Sequence, residues 1–277
     1  RRFDVVNHEM PRLESFEKAL GSGKYTDDLS VPGMVYAELV RSPYSHAKVL
    51  SIDTSEAEKV PGYLGCALPE ESPQMYFNCS GNPPSPLLMA DEKVLTDEPL
   101  VLGDRVAVVA AETEEAARAA AEAVKVEYKN LTPILDVKAA LADNAPAMQP
   151  HLSDTNVVQR REVSQGDIAA GEAASDIIEE DHFVTPAMQH TTIELTSCIC
   201  DFSDGEHITI YSCSQTVFQE RRILAELFGL KEVDVHIIKP LVGAGFGARQ
   251  QLHAQHAAAL ISRTEKPTSL RPYPLHR

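Results

Sequence analysis

Hydrophobic and polar positions fall along this chain in blocks, and each block predicts one element. Met34 to Arg41 alternates with period two and predicts a strand, closed by Ser42-Pro43. Ala47 to Ile52 predicts a second short strand. Thr54 to Lys59 predicts one or two helical turns, with Thr54 or Ser55 as the N-cap and Pro61-Gly62 as the stop. Arg105 to Ala111 is an apolar run, the pattern of a buried strand. Thr113 then caps an alanine-rich helix reaching Val124, and Glu114 and Glu115 in its first turn match the helix dipole. Lys125 to Tyr128 alternates again. Strand, helix and strand in this order predict a βαβ unit within one sheet, crossing right-handed.

The second half continues the pattern. Gly166-Asp167 opens a short helical segment, and Ile177 to Val184 and Thr192 to Phe202 read as strands. Asp204-Gly205 is a hairpin turn before a returning strand, His207 to Tyr211. Thr216 to Phe228 predicts an amphipathic helix with Val217, Ile223, Leu224, Leu227 and Phe228 apolar, and Gly229 stands where a helix-ending glycine belongs. Asp234 to Leu241 predicts a strand. Ala248 to Arg263, without internal Gly or Pro, predicts a helix. Residues 1 to 30 are polar and mixed, with Gly21-Ser22-Gly23 and Tyr25 to Asp28 reading as loop. Between residues 69 and 99, Pro69, Pro73, Pro83, Pro84, Pro86 and Pro99 exclude regular structure over most of the stretch. This region reads as a long ordered surface loop or an insertion that meets a partner. Asn130 to Asn156 reads as a connector with one short helix, Val137 to Leu141, and a domain boundary fits there.

Composition narrows the classes. A chain of 277 residues is long enough for two domains, and 43% hydrophobic with 24% charged residues is ordinary for a globular protein. The net charge of −16 argues against a nucleic-acid or anionic-membrane surface. No apolar run is long enough for a membrane span, and Arg1-Arg2-Phe3-Asp4 starts no signal-peptide core. The five cysteines form no C-x-x-C and read as reduced thiols of a cytoplasmic protein. Cys198 and Cys200 share one strand face, which suits packing better than an iron–sulfur cluster.

The candidate chemistry lies in Gly243-Ala244-Gly245-Phe246-Gly247-Ala248-Arg249-Gln250. Glycine lets the backbone take positive φ and lets a ligand approach the main chain. A strand, a glycine loop and a helix N-terminus in succession suit an anionic or oxo-bearing ligand. On the loop alone, a tight strand-to-helix turn without a ligand is the simpler reading. The loop lacks the G-x-G-x-x-G of dinucleotide sites and the Gly-Lys-Ser/Thr of phosphate loops. Gln215 also closes a strand at the start of a helix. If the two edges lie side by side, its amide and the N–H groups of Phe246 and Gly247 surround one ligand. Alone, Gln215 reads as a helix-capping amide.

The glycine–phenylalanine loop resembles that of the molybdenum hydroxylases, the xanthine dehydrogenase and aldehyde oxidase family. The resemblance extends along the chain. Gly21 to Leu29, Pro32-Gly33-Met34, Val40 to Ala47 and Pro61-Gly62 resemble the opening α/β hammerhead domain of the large subunit, and Gly103 to Ala111, Ala116 to Glu122 and Val126-Glu127-Tyr128 resemble its close. Gly166-Asp167, Gln189-His190, Glu194, Ser214-Gln215 and Gly243 to Gln250 resemble the start of the molybdopterin-binding region. The resemblance implies an α+β fold: a hammerhead domain over residues 1–135, a connector over 136–160 and the first, incomplete portion of a molybdopterin-binding domain over 161–277.

It further implies that Gln215 binds an oxo ligand of the molybdenum, that Gly245, Phe246 and Gly247 line the molybdenum–pterin cofactor, and that Gln250 faces substrate. His190 and Glu194 receive no catalytic role, and no residue ligates metal directly. The implied reaction is hydroxylation of a purine or related N-heterocycle with water as the oxygen source, electrons leaving through iron–sulfur and FAD subunits or domains. Aldehydes are the alternative substrates. The family's general base lies in a later part of the subunit, so the chain alone is expected to be inactive. Surface left bare by the missing part is expected to drive homo-oligomerisation. Ala244 replaces a family glycine, Ala248-Arg249 replaces Gly-Lys, and Ser269 to Arg277 carries Pro272 and Pro274 where the family has a strand. Those departures favour a non-catalytic assembly module as the second reading. A nucleotide-binding protein is the third, with the wrong glycine spacing against it.

Overall fold

The computed structural model describes residues 3–79 and 89–265 and the backbone of residues 269–272. The chain forms two compact units, Arg1–Ile134 with Thr192–Arg277, and Leu135–Thr191. In chain order the elements are α1 (Ser15–Leu20), β1 (Met34–Arg41), β2 (Ala47–Asp53), β3 (Tyr63–Ala67), β4 (Arg105–Ala111), α2 (Glu114–Ala123) and β5 (Lys125–Asn130). There follow α3 (Val137–Ala140), α4 (Ile168–Ala173), β6 (Cys198–Asp201), β7 (Ile208–Ser212), α5 (Val217–Phe228), β8 (Val235–Ile238), α6 (Gln255–Glu265) and β9 (Ser269–Pro272). The mixture is α+β, and the large sheet joins strands from both sides of residue 135.

That sheet runs β3-β4-β1-β9-β6-β7-β8, and β2 and β5 form a separate pair. The expected βαβ unit at residues 105–128 is therefore not one. β4 is already paired along both edges, with β1 (Tyr36 opposite Ala111) and with β3 (Cys66 opposite Val109). No edge is left for β5, which pairs antiparallel with β2 instead. The buried character read from the apolar run does hold, since Val106 to Ala111 are all at most 1% exposed. Val108 and Ala110 face a core shared with β6, β7, α5 and α6. Val106 and Val109 face a smaller core with Ala120 of α2 and Val124 just after it.

The parallel βαβ unit lies elsewhere, in β7-α5-β8, whose strands pair from Ile208–Val235 to Tyr211–Ile238. α5 ends as expected, at Gly229 with φ 68°. α6 is buried almost all round, from Gln255 to Ser262.

Other expectations change. The polar, mixed stretch before residue 30 includes α1, closed by Gly21 in the left-handed region. Strand structure in Thr192 to Phe202 is confined to β6. In the smaller unit, Asp136 and Asp167 cap α3 and α4. Ile177 to Val184 forms no strand there: its side chains are exposed and it pairs with no strand among the described residues. The tail expected to avoid a strand forms β9, parallel to β1, with Pro272 as its final residue. Of the proline-rich stretch, residues 80–88 lie outside the described residues. Its flanks hold a 3-10 turn at Pro69–Glu71 and a bridge between Phe77 and Glu92. No described helix is long and apolar enough to cross a membrane.

Candidate functional site

β7 and β8 are neighbouring parallel strands, so the segments leaving their carboxyl ends emerge side by side. Ligands of open sheets bind at such ends. β7 leads to Gln215 and α5, and β8 leads to the glycine loop. The Gln215 N–H donates to the Arg249 carbonyl at 2.9 Å. The Gln215 Oε1 accepts from the Gly247 N–H at 3.1 Å and the Arg249 N–H at 3.3 Å. Two donors on one atom require the oxygen there, which assigns the amide orientation from its bonds. The NH₂ end is left over, on an exposed residue, with no acceptor among the described residues.

The loop fits closely around this amide. A Cβ added at Gly245 would stand 2.4 Å from Gln215 Oε1 and 2.5 Å from its Cδ, so any residue but glycine would displace the amide from this position. Ala244 and Phe246 hold φ of 78° and 49°, a region costly for residues with a Cβ. The Phe246 ring is 74% exposed, and its N–H meets no acceptor among the described residues. Gly247 differs from expectation: its N–H points at Gln215 rather than outward. The Gln250 backbone is fully engaged. Its N–H donates to Gly247 O at 3.1 Å, and its carbonyl accepts from Thr216 Oγ1 at 3.2 Å and Gln219 Nε2 at 3.0 Å. Its side chain is exposed.

The helix expected from Ala248 starts later. Ala248–Gln250 is a 3-10 turn, Gln251 is extended, and α6 begins at Gln255. Tertiary bonds take the groups a helix would have used. The Arg249 N–H goes to Gln215, the Ala248 carbonyl to His253 Nε2 at 2.6 Å, and the Leu252 N–H to Cys79 O at 3.0 Å. The helix N-terminus beside the site is that of α5, one residue after Thr216. Burial holds the His253 ring neutral, pushing its pKa down, so Nε2 carries the proton given to Ala248.

Three side chains received no role from the sequence. Arg249 and Glu194 are buried together under the loop, their side chains 1% and 7% exposed. Glu220, on the first turn of α5, is completely buried. Burial pushes its carboxyl up to about 7, tempered by the Ser212 and Ser214 hydroxyls beside it. A charged residue inside an otherwise apolar helix stripe is the signal that singles out Glu220. A glutamate and an arginine 55 residues apart carry none. His190 lies exposed in the smaller unit.

The donor set tests the implied cofactor. Among the described residues no group of three His, Cys, Asp or Glu side chains is placed to hold a metal ion. The loop instead offers an amide NH₂, a free backbone N–H and a glycine surface without side chains. These suit the oxygen atoms and flat pterin of a group that brings its own metal ligands, so the residues fit it.

Two family descriptions match consecutive parts of the chain: "Aldehyde oxidase and xanthine dehydrogenase, a/b hammerhead domain" over residues 20–132, and "Molybdopterin cofactor-binding domain" over residues 150–271. A probable xanthine dehydrogenase subunit from Bacillus subtilis is 34% identical over 88% of this chain and 32% of its own length. The nicotinate dehydrogenase large molybdopterin subunit of Eubacterium barkeri is 30% identical over 97% of this chain and 61% of its own length. The chain thus spans about a third to three fifths of these relatives. The aldehyde oxidoreductase of Desulfovibrio gigas superposes with a TM-score of 0.85 at 25% identity, over 95% of this chain and 30% of that one. The two matches in sequence order, on a fold this similar, place the chain in the xanthine dehydrogenase and aldehyde oxidase family of molybdenum hydroxylases, as the hammerhead domain and the start of the molybdopterin-binding domain of the large subunit.

Proposed function

We propose that this chain is part of the molybdenum-cofactor subunit of a cytoplasmic hydroxylase acting on a purine or related N-heterocycle. Gln215, Gly245, Phe246 and Gly247 bind the cofactor, and Gln250 faces substrate. The observation that carries the reading is the Gln215 amide, whose oxygen is fixed by two loop N–H groups and whose NH₂ is left to donate outward. When bound, the molybdenum–pterin group supplies hydroxylation of an electron-poor carbon with water as the oxygen source.

The chain's own residues hold and orient the group. Gln215 Nε2 and the Phe246 N–H donate to oxygen atoms of the cofactor. Gly245 keeps the approach to Gln215 open. The exposed Phe246 ring supplies a flat apolar wall suited to an aromatic heterocycle. Gln250 offers an amide that both donates and accepts, matching ring nitrogens and carbonyls. The names of two relatives, which specify xanthine and nicotinate, support an N-heterocycle. The likeness to an aldehyde oxidoreductase favours an aldehyde as the second reading. Electrons pass to iron–sulfur and FAD partners.

The test is co-expression of the chain with its genomic neighbours, followed by molybdenum and pterin analysis and assays with xanthine, nicotinate and an aldehyde. The reading expects cofactor in the complex, its loss in Gln215→Ala, and turnover of an N-heterocycle. A folded complex without molybdenum or pterin refutes it.

A further inference from the structure

Arg249 ties together two parts of the site that lie far apart in sequence. Its backbone grips Gln215 from both sides, the N–H on Oε1 and the carbonyl on the Gln215 N–H. Its side chain runs under the loop to Glu194. Nη1 donates to Glu194 Oε2, and Nη2 donates to the Glu194 carbonyl at 2.6 Å. The same Oε2 accepts the Gly243 N–H at 2.5 Å. One carboxylate thus fastens the loop at Gly243 and, through Arg249, at its far end. The fastenings straddle Ala244 and Phe246, the two non-glycine residues of the loop at positive φ. Such conformations persist only where the surroundings over-determine them.

Stability alone is a poor account of the pair. Both side chains are buried, yet Glu194 Oε1 and Arg249 Nε have no partner among the described residues. A buried ion pair left partly unsatisfied is no better for stability than two packed apolar side chains. Its return is in geometry. Gly243 is shaped around it, since a Cβ there would meet Glu194 Cβ at 2.7 Å.

We propose that Glu194 and Arg249 are positioning residues: their buried pair holds the glycine loop and the Gln215 amide in the ligand-binding arrangement before any ligand arrives. The inference rests on the assignment of Gln215 to the cofactor, and goes beyond it by naming what sets that amide. It makes the loop preorganised rather than shaped by the cofactor.

Amide hydrogen exchange on the purified, cofactor-free chain tests this directly. In Arg249→Met and in Glu194→Gln, amides of residues 242–251 exchange about ten-fold faster or more, while β4 and α6 keep wild-type protection. Arg249→Lys retains one charged donor and keeps most of the loop's protection. Wild-type loop exchange in the folded Met and Gln variants overturns the proposal. So does equal acceleration across loop, β4 and α6 in the Met and Lys variants alike, which would make the pair a mere support of the fold. Pterin content of the assembled complex falls in Arg249→Met by the same reasoning. A wild-type complex that contains no pterin sinks the cofactor assignment instead, and the exchange data then still decide whether the pair sets the loop.

Discussion

Replacing Glu220 by Gln should stabilise the protein, by an amount that grows as pH rises from 4.5 to about 7 and then levels off. The carboxyl is buried at the start of α5, and neither oxygen makes a hydrogen bond of normal geometry. Burial raises its pKa from the ordinary 4.5 to about 7. A factor of ten in a proton equilibrium is worth about 1.4 kcal/mol, so a rise of that size makes ionised Glu220 cost about 3 kcal/mol of folding stability. The sign follows from the raised value. Below 4.5 the group is neutral in both states and costs nothing of this kind; between 4.5 and about 7 the unfolded chain is ionised while the folded one stays protonated, so the cost grows across that window and is constant above it. Glutamine keeps the shape and removes the titration. Urea unfolding of both proteins, from about pH 5 to about pH 8, reads the difference. The variant should gain about 2–3 kcal/mol relative to wild type across that range, the lower figure allowing for an amide with poor partners. A difference that does not change with pH refutes the reasoning, because it would mean that Glu220 is solvated or paired in the folded state. Ser212, Ser214 and the thiols of Cys198, Cys200 and Cys213 are the groups facing it.

Gly245→Ala should cost about 2 kcal/mol in unfolding experiments and abolish cofactor retention in the complex, since the new methyl collides with Gln215. Ala244→Gly should raise stability by up to about 1 kcal/mol, because relief at φ 78° slightly outweighs the freer unfolded chain; a lower melting temperature would contradict the observed backbone. Thr113→Ala removes the hydroxyl that accepts the Ala116 N–H and should lose about 1 kcal/mol, measured by thermal melting. A thiol reagent near neutral pH should leave the native chain almost unlabelled and find five thiols after denaturation, since four cysteines are buried and burial pushes Cys66 up to about 12.

What could be read from residue order was local. β1, the capped helix α2, the hairpin between β6 and β7, and α5 with Gly229 are each specified within a dozen residues by side-chain period, caps and turn chemistry. Gln215 and the glycine loop were not legible in this way: alone they read as a helix-capping amide and a tight turn, and the family resemblance along the chain made them candidates. The misreadings share one cause, which is competition for a partner. β5 had no edge beside β4 because β1 and β3 held both. Ala248 to Leu252 had helical composition but gave its hydrogen bonds to Gln215, His253 and Cys79. Ile177 to Val184 had strand composition and found no neighbour. Period and propensity decide what a segment can form alone, while hydrogen-bond partners and burial decide what it forms in place. The Glu194–Arg249 pair lies wholly in that second category. The sequence marks Glu194 only as part of the family resemblance and Arg249 only as a departure from it, and only folding brings the carboxylate under Gly243 and the guanidinium onto it, where burial makes their pairing obligatory.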